Sequence, residues 1–326
     1  MDKNLKKTLV EIQELSIHFD TDRGIVPAVN EVSYSIYEGE TLGLVGESGC
    51  GKSVTAHSII RLIPKPQGRV ASGKIIFRGE DLVKVSESRI REIRGNDISM
   101  IFQEPMTSLN PVFTIGEQIS EVILQHQDLN EDEAWDLAIQ MLGKVGIPSP
   151  DMRAEEYPHQ LSGGMKQRVM IAMALACNPY LLIADEPTTA LDVTIQAQIL
   201  ELIQELQKQS AMSVLMITHD LAVVAEVCDR VVVMYASKIV EIAPVEKLFE
   251  KPLHPYTQGL FQSIPNVEVD QERLTPIPGF VPSPLNFPSG CKFHDRCAMK
   301  VQRCTTEEPI LRELEDGRMV ACHLIE

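Results

Sequence analysis

The sequence predicts an α/β fold with a mainly parallel β-sheet, and two patterns in its 326 residues predict it. The first is an apolar run at 41–45 that leads through a glycine-rich loop into a helical segment beginning at Lys52. The second is a later alternation of strand and helix patterns, at 181–184, 194–207, 213–218, 221–227 and 230–235. Strands that alternate with helices favour a parallel sheet with both of its faces covered.

Two regions lie outside this alternation. Apolar residues at 10–19 and 32–36 recur with an approximate period of two, which predicts antiparallel strands separated by a polar turn at 20–24. Between the phosphate-loop region and the later alternation of strands and helices, residues 104–176 have a helical pattern. The remaining predicted elements are a helix at 52–62, strands at 74–77 and 98–102, helices at 117–124, 131–145 and 169–176, and a turn at 147–150.

The glycine-rich loop at 46–53 reads GESGCGKS, a complete GxxxxGK[ST] motif between a strand and a helix. Its glycines let consecutive backbone N–H groups point at one anion, and the helix start adds partial positive charge. Lys52 can reach the β- and γ-phosphates of a nucleotide, and the Ser53 hydroxyl can ligate Mg²⁺. The predicted nucleotide-binding residues are Gly46, Glu47, Ser48, Gly49, Cys50, Gly51, Lys52 and Ser53.

Cys50 lies inside this phosphate loop, where we expect its N–H to face phosphate and its side chain to point away. A small residue at a permissive position is one interpretation. The helix start and Lys52 also favour a thiolate, which predicts that alkylation inhibits the enzyme and that ATP protects it.

A second set of candidate site residues follows the apolar run at 181–184. Asp185 and Glu186 stand at the end of this buried strand, which is the Walker B pattern. Asp185 can hold Mg²⁺, directly or through water, and Glu186 can orient and activate the attacking water.

A second anion-binding helix start lies at Ser162-Gly163-Gly164, ahead of an apolar helix. One nucleotide cannot easily use both glycine-rich sites of one chain. The sequence here resembles the ABC-type ATPase family, whose signature is LSGGQ-like, although Met165 replaces the usual glutamine and Gln167 follows two positions on. In that family ATP is sandwiched between the phosphate loop of one subunit and the signature of another.

The resemblance implies a fold and further roles. It implies a RecA-like parallel core with an antiparallel β subdomain, within an ATPase domain at 1–260 whose helical signature subdomain spans about 104–176. Gln103 (Q-loop) would sense the γ-phosphate and ligate Mg²⁺, with 104–111 transmitting the change to a permease. Asp192 would belong to the D-loop at 190–192, and His219 would hold the γ-phosphate. Phe19 would either stack on adenine or serve as a core aromatic.

Sequence between the common motifs is similar to the D-type ATPases of oligopeptide/dipeptide importers. It comprises 102–111 (FQEPMTSLNP), 157–159 (YPH), 184–193 (ADEPTTALDV), 254–257 (HPYT) and the proline-rich C-terminus. This resemblance implies an ATPase that powers peptide import, paired with a homologous F-type ATPase, two transmembrane permease subunits and an extracytoplasmic peptide-binding protein. Import of nickel or another small solute is the alternative.

The C-terminal segment, 261–326, contains Cys291, Cys297, Cys304 and Cys322. So short a segment has little apolar surface, and a metal could supply its folding free energy. Four thiolates fit Zn²⁺ or an iron–sulfur cluster. The wide spacing, with the family resemblance, favours [4Fe–4S] over zinc. Four ordinary reduced cysteines are the remaining interpretation, and His294 and His323 are minor ligand candidates.

The composition limits the class of partner. A formal net charge of −16 and an isoelectric point near 5.0 argue against a nucleic-acid surface. The N-terminal residues show no apolar signal region, and the longest apolar stretches are too short to span a bilayer. We therefore expect a chain that is soluble and cytosolic unless a partner holds it at a membrane. The resemblance to importer ATPases implies such a partner, which would make it a peripheral protein at the cytoplasmic face of the membrane. Seven cysteines, an odd number, do not suggest a disulfide framework.

Overall fold

The computed structural model describes residues 7–103, 108–189, 192–263 and 276–325. The chain forms two compact units that interleave along the sequence. The first unit comprises Met1–Lys7, Tyr37–Glu40 and Val85–Ile217. The second unit comprises Thr8–Ile36, Thr41–Lys84 and Thr218–Glu326.

The strands and helices are numbered in chain order. The strands are β1 (Thr8–Thr21), β2 (Gly24–Tyr37), β3 (Thr41–Val45), β4 (Gly68–Phe77), β5 (Glu80–Asp81), β6 (Ile98–Ile101), β7 (Leu181–Asp185), β8 (Ser213–Ile217), β9 (Arg230–Tyr235), β10 (Lys238–Pro244), β11 (Arg312–Glu313) and β12 (Met319–Val320). The α-helices are α1 (Lys52–Ile59), α2 (Glu87–Ile93), α3 (Ile115–His126), α4 (Glu131–Lys144), α5 (Pro150–Ala154), α6 (Gly163–Leu175), α7 (Val193–Ser210), α8 (Leu221–Val227), α9 (Val245–Glu250) and α10 (Pro255–Gln262).

The second unit contains the predicted antiparallel sheet. Its strand order is β2-β1-β4-β5, and β1 pairs with β4 from Val10 opposite Phe77 to Phe19 opposite Gly68. Along β1 the residues Val10, Ile12, Leu15 and Ile17 are buried, since alternate residues face the interior of a half-buried strand.

The second unit also contains a mixed group of strands around β3, which precedes the phosphate loop. Strand β3 pairs in parallel with β9, and β9, β10, β12 and β11 continue as antiparallel neighbours. Every residue of β3 is buried, as expected for a strand covered on both faces. The parallel pairing was predicted, whereas β10 to β12 were not.

The first unit contains three parallel strands in the order β6-β7-β8. Its helices begin where their capping residues stand. Thr114 and Glu117 form a capping box at α3, and Asn130 and Glu133 form another at α4. Such caps satisfy backbone donors that have no partner within the helix, so they fix where each helix begins.

Several predicted boundaries change. Helix α1 ends at Ile59 rather than at 62, and Pro150 of the predicted turn is the first residue of α5. Helices α2, α9 and α10 were not predicted. Of the proline-rich stretch, residues 264–275 lie outside the described residues, and 276–290 contain neither helix nor strand, as predicted. No helix in the described part of the chain is long and apolar enough to cross a membrane.

Candidate nucleotide-binding site

The phosphate loop, 46–53, follows β3 in the second unit, and its glycines are required by the backbone. Gly46, Gly49 and Gly51 have φ values of +150°, +76° and +105°, which L-residues rarely adopt. A Cβ at Gly46 would overlap the carbonyl oxygen of Met234, and one at Gly51 would overlap that of Ala28. The shape of the loop therefore requires glycine at Gly46 and Gly51.

Lys52 begins α1, and its side chain is buried against the loop. Its Nζ donates to the carbonyl oxygens of Gly46, at 2.7 Å, and Glu47, at 3.2 Å. The ammonium is thus held over the loop by two acceptors that carry no formal charge. A phosphate anion would be a stronger acceptor for the same group. Ser53 follows at the second position of α1 and is half-buried.

The surroundings of Cys50 do not favour the predicted thiolate. Its side chain is fully buried, and burial raises the pKa of the thiol, although Lys52, whose Nζ lies 3.9 Å from Sγ, lowers it in part. At this position the free-energy cost of removing a thiolate from water is larger than the favourable interaction with one neighbouring ammonium. The prediction of a thiolate is therefore wrong, because the side chain is enclosed.

Glu47 is held by Tyr256, which lies in the 254–257 segment, and by Arg296, which sequence analysis did not select. Its backbone N–H donates to the hydroxyl of Tyr256, at 2.8 Å. Its carboxylate accepts two hydrogen bonds from the guanidinium of Arg296, at 2.7 and 3.0 Å. No sequence signal links Arg296 to the loop, because it lies 249 positions from Glu47.

The Walker B residues end β7 in the first unit. Asp185 is 3% exposed, and Glu186 has a positive φ of +48°, which is unfavourable for a residue with a side chain. The Glu186 carboxylate accepts from Gln103 Nε2, at 3.0 Å, and from Thr189 Oγ1, at 2.9 Å. The structure thus brings together Gln103 and Glu186, which were predicted separately, and adds Thr189.

The signature, Ser162-Gly163-Gly164, forms the start of α6 in the first unit. The Ser162 hydroxyl caps the helix by accepting from the Met165 N–H, at 3.4 Å. Ser162 and Gly163 are exposed. Gln167 is buried, and its side chain donates to the carbonyl oxygen of Pro187, at 2.5 Å, so it links α6 to the turn after Glu186.

The other predicted site residues lie at element ends. Asp192 caps α7 by accepting from the Ile195 N–H, at 3.0 Å, whereas the D-loop residues 190 and 191 are outside the described residues, as are Q-loop residues 104–107. His219 is exposed and follows β8. Phe19 is half-buried near the end of β1, and a Cβ at Gly68, opposite, would approach its ring to 2.8 Å.

The four C-terminal cysteines line one cavity in the second unit, together with His254, Phe293, His294 and His323. None of the seven cysteines, all of which are described, is in a disulfide. Burial raises the pKa of Cys291 to about 11 and also raises the pKa of Cys297 and Cys322. Within the described ranges, no group of three or more His, Cys, Asp or Glu residues has the geometry of a metal site.

The two histidines near these cysteines have other partners. His294 Nδ1 lies 2.8 Å from the Cys291 carbonyl oxygen, and its Nε2 lies 3.0 Å from an Asp295 carboxylate oxygen. His323 Nε2 lies 2.9 Å from the carbonyl oxygen of Glu307. These contacts favour the thiols over the imidazoles as the available donor set.

Comparison with known proteins identifies the family. A family model described as ABC transporter matches residues 29–189, and one described as oligopeptide/dipeptide transporter, C-terminal region, matches residues 240–304. The oligopeptide transport ATP-binding protein AppD of Bacillus subtilis is 51% identical over 98% of this chain and 97% of its own length. The chain belongs to the family of ABC transporter ATP-binding proteins.

Further matches agree with this assignment. The dipeptide transport ATP-binding protein DppD of Escherichia coli is also 51% identical, over 97% of this chain and 96% of that protein. The dimeric ATP-binding cassette MJ0796, solved in a post-hydrolysis state with ADP and phosphate, is 26% identical with a TM-score of 0.65, and the match covers 72% of this chain and 98% of that one. The protein is thus an ABC-type ATPase with the mixed and antiparallel sheets of such cassettes.

Proposed function

We propose that this ATPase powers the import of oligopeptides or dipeptides through a membrane transporter. The match of residues 240–304 to the C-terminal region of oligopeptide/dipeptide transporters carries the proposal, and relatives named for transport of both cargoes extend it over nearly the whole chain. The ATPase would bind two permease subunits at the cytoplasmic face of the membrane. An extracytoplasmic peptide-binding protein would deliver the cargo.

The chemistry rests on residues of several motifs. Lys52 and the N–H groups of the phosphate loop bind the phosphates of ATP and stabilise the charge that develops during transfer. Glu186 polarises the attacking water, while Gln103 and Thr189 orient its carboxylate through the hydrogen bonds they donate. Gln103 also senses the γ-phosphate, and His219 contacts it.

Magnesium is the metal that this chemistry requires. The Ser53 hydroxyl, the Asp185 carboxylate and the Gln103 amide oxygen would hold Mg²⁺, which neutralises phosphate charge. Oxygen ligands of this kind are the ones that Mg²⁺ prefers, so the residues present fit the ion.

The signature would complete the nucleotide site of a second ATPase, a homologous F-type subunit. Two observations support this. A Cβ at Gly163 would meet no described atom within 4 Å, so packing within the described chain does not account for the glycine. The MJ0796 cassette, in addition, is described as dimeric. We therefore expect the isolated chain to hydrolyse ATP slowly and the assembled transporter to hydrolyse it fast.

Two variants separate binding from hydrolysis. Glu186→Gln should lower kcat by about 10²–10³-fold, because the amide cannot polarise water, and should retain ATP binding. Lys52→Ala should instead weaken ATP binding, because it removes a charge-assisted phosphate contact. Nucleotide titration and turnover of the assembled transporter measure both effects, with Glu201→Gln on the exposed face of α7 as the control. Wild-type turnover in Glu186→Gln would overturn the assignment of the base.

The cargo is tested in proteoliposomes that contain the transporter and its binding protein. Dipeptides and longer peptides should stimulate ATP hydrolysis and accumulate in the lumen, whereas Ni²⁺ should do neither. Stimulation by Ni²⁺ alone would replace the peptide proposal with import of a metal or another small solute. The Glu186→Gln transporter, which should not accumulate cargo, controls for leakage.

The four cysteines of the C-terminal segment, 261–326, which follows the ATPase domain at 1–260, are proposed to hold a [4Fe–4S] cluster with a structural role. Their convergence on one cavity supports it, although no group of three or more described His, Cys, Asp or Glu residues has the geometry of a metal site. Since burial raises the pKa of three of these thiols, a bound metal would be needed to make them thiolates. The cluster would stabilise a segment that has few helices and strands.

Anaerobic purification tests the cluster. We expect brown protein that absorbs at about 400 nm and contains about four irons per chain. Cys297→Ser should lose the iron and melt at a lower temperature, whereas Cys177→Ser, in the first unit, should keep the iron. Colourless protein with one zinc per chain would indicate zinc, and the absence of both metals with an equally stable Cys297→Ser variant would indicate ordinary cysteines.

A further inference from the structure

The C-terminal segment reaches the phosphate loop through Glu47, the second residue of that loop. Glu47 is held at three points. Its N–H donates to the Tyr256 hydroxyl at 2.8 Å, its carbonyl oxygen accepts from Lys52 at 3.2 Å, and its carboxylate pairs with Arg296 at 2.7 and 3.0 Å. Two of these three contacts come from residues beyond 255, so the loop is not held by the ATPase motifs alone.

The side chain of Arg296 is held in position by contacts other than its pair with Glu47. Its side chain is 5% exposed, against 29% for that of Glu47. The guanidinium donates to the carbonyl oxygens of Pro278, at 2.8 Å, and Ile277, at 3.4 Å, and to the Tyr235 hydroxyl, at 3.4 Å. A planar guanidinium held in this way presents two parallel donors to a carboxylate, which is the strongest geometry for such a pair.

Aromatic rings hold the same assembly together. The guanidinium carbon of Arg296 lies 5.7 Å from the Tyr235 ring centre and 5.9 Å from that of Phe293. The Tyr235 ring in turn contacts the rings of Tyr256 and Phe293, at 4.6 and 5.2 Å between centres. The Tyr256 hydroxyl that binds the Glu47 N–H and the guanidinium that binds its carboxylate therefore belong to one packed cluster.

The charge of Glu47 is unfavourable in a loop that binds a polyphosphate. A carboxylate there repels ATP, and the repulsion is strong because partly buried charges are poorly screened. An unpaired carboxylate would also compete with phosphate for the ammonium of Lys52, which already lies against the Glu47 carbonyl oxygen. Pairing with Arg296 cancels the charge and directs the carboxylate to the C-terminal segment.

We propose that Arg296 is a positioning residue of the nucleotide site: it neutralises Glu47 and, with Tyr256, fixes the phosphate loop in the conformation that binds ATP. The proposal rests on the proposed role of the loop in binding ATP. It makes the C-terminal segment a part of the ATP site. The competing explanation is that the pair only attaches the C-terminal segment to the rest of its unit.

A double-mutant cycle on Arg296 and Glu47 separates these explanations. Arg296→Gln should raise the Kd and KM for ATP by about tenfold in the assembled transporter, with kcat changed less than about twofold. In the Glu47→Gln background the same substitution should change the Kd less than about twofold, because no carboxylate remains to be neutralised. A merely structural role would lower the melting temperature without this dependence on Glu47.

The controls distinguish failure of this inference from failure of the proposed site. Arg303→Gln removes another arginine of the segment, whose ion pair with Glu307 is exposed, and should leave ATP affinity unchanged. If Lys52→Ala binds ATP like the wild type, the proposed nucleotide site is wrong. If Lys52→Ala loses ATP but Arg296→Gln does not, or if Glu47→Gln gives no rescue, the inference alone is overturned.

A conservative variant keeps the test decisive if Arg296→Gln does not fold. Arg296→Lys retains the charge but cannot donate two parallel hydrogen bonds. It should weaken ATP binding by about threefold, and this effect should again disappear in the Glu47→Gln background. A loss of ATP affinity that is equal in both backgrounds would overturn the inference.

Discussion

The phosphate loop and the signature of this ATPase are both glycine-rich helix starts, but the structural reasons for their glycines differ. In the phosphate loop, the backbone of the chain itself requires glycine, because Gly46, Gly49 and Gly51 have positive φ. In the signature, Gly163 begins a helix and a Cβ there would meet no described atom within 4 Å. The glycines of the first motif are thus explained by its own backbone, whereas packing within the described chain does not account for Gly163.

The two glycines of the signature differ in whether the protein's own packing requires them. A Cβ at Gly164 would lie 3.1 Å from Cγ2 of Ile195 on α7, which is tighter than ordinary contact. Its neighbour Gly163 has no such restriction. Of two adjacent glycines in one motif, therefore, packing within the first unit explains Gly164 and does not explain Gly163.

The largest effect is expected in the phosphate loop. Gly51→Ala should lower the free energy of unfolding by about 2–4 kcal/mol, because the new methyl overlaps the Ala28 carbonyl at an unfavourable φ. It should also weaken ATP binding by at least about 100-fold, since the loop N–H groups are displaced. Denaturant unfolding and nucleotide titration measure the two quantities.

Gly49→Ala is the matched control. Gly49 has a φ of +76°, but a methyl group there would meet no described atom within 4 Å, so only backbone strain of about 1–2 kcal/mol is expected. Equal destabilisation by the two variants would show that close packing does not distinguish Gly51.

An intermediate effect is expected at the signature. Gly163→Ala should raise the free energy of unfolding by up to about 1 kcal/mol, because alanine favours helix more than glycine does. It should nevertheless lower ATP hydrolysis by the assembled transporter at least about tenfold, because the methyl obstructs whatever approaches the helix start. Gly164→Ala should instead destabilise the chain by about 1 kcal/mol through Ile195. Wild-type turnover in Gly163→Ala would contradict the prediction that an unobstructed Gly163 is needed for ATP hydrolysis.

The smallest effect on turnover is expected at Cys50, which is buried within the phosphate loop. Its enclosed thiol should react with iodoacetamide at neutral pH at least about 100-fold more slowly than in the unfolded chain, because reaction requires local opening. Cys50→Ser should retain turnover. Mass spectrometry of the alkylated peptides measures the rate, and rapid alkylation prevented by ATP would instead support a reactive thiolate.

The raised pKa of Cys50 also predicts a direction for the effect of pH on stability. The ordinary pKa of the thiol is 9.0, and the folded chain retains the proton to a higher pH. The contribution to stability is therefore complete below about pH 9 and is lost as pH rises through the folded pKa. Denaturant unfolding of the wild type and of Cys50→Ser between about pH 7 and 10 should show this difference in slope.

Local sequence determined those parts of the protein that depend on neighbours along the chain. The apolar runs gave β3 and β7, the GxxxxGK[ST] spacing gave the turn into α1, and the acidic pair was found at the end of β7. Strand β10, the β11–β12 pair and helices α9 and α10 escaped prediction. Strands β11 and β12 are each two residues long, and β12 pairs with β10, which lies far from it in the sequence, so no local pattern reveals them. Strand β10 itself forms a hairpin with its sequence neighbour β9.

Tertiary structure alone decided how these local parts are held. Nothing in the sequence pairs Glu47 with Arg296 or Tyr256, because contacts between residues more than about 200 positions apart follow from chain folding rather than from spacing. The pKa of Cys50 was likewise decided by burial, which outweighs the charge of Lys52. Sequence predicted which groups could bind a nucleotide, and the three-dimensional packing determined which of them are buried, exposed and held in position.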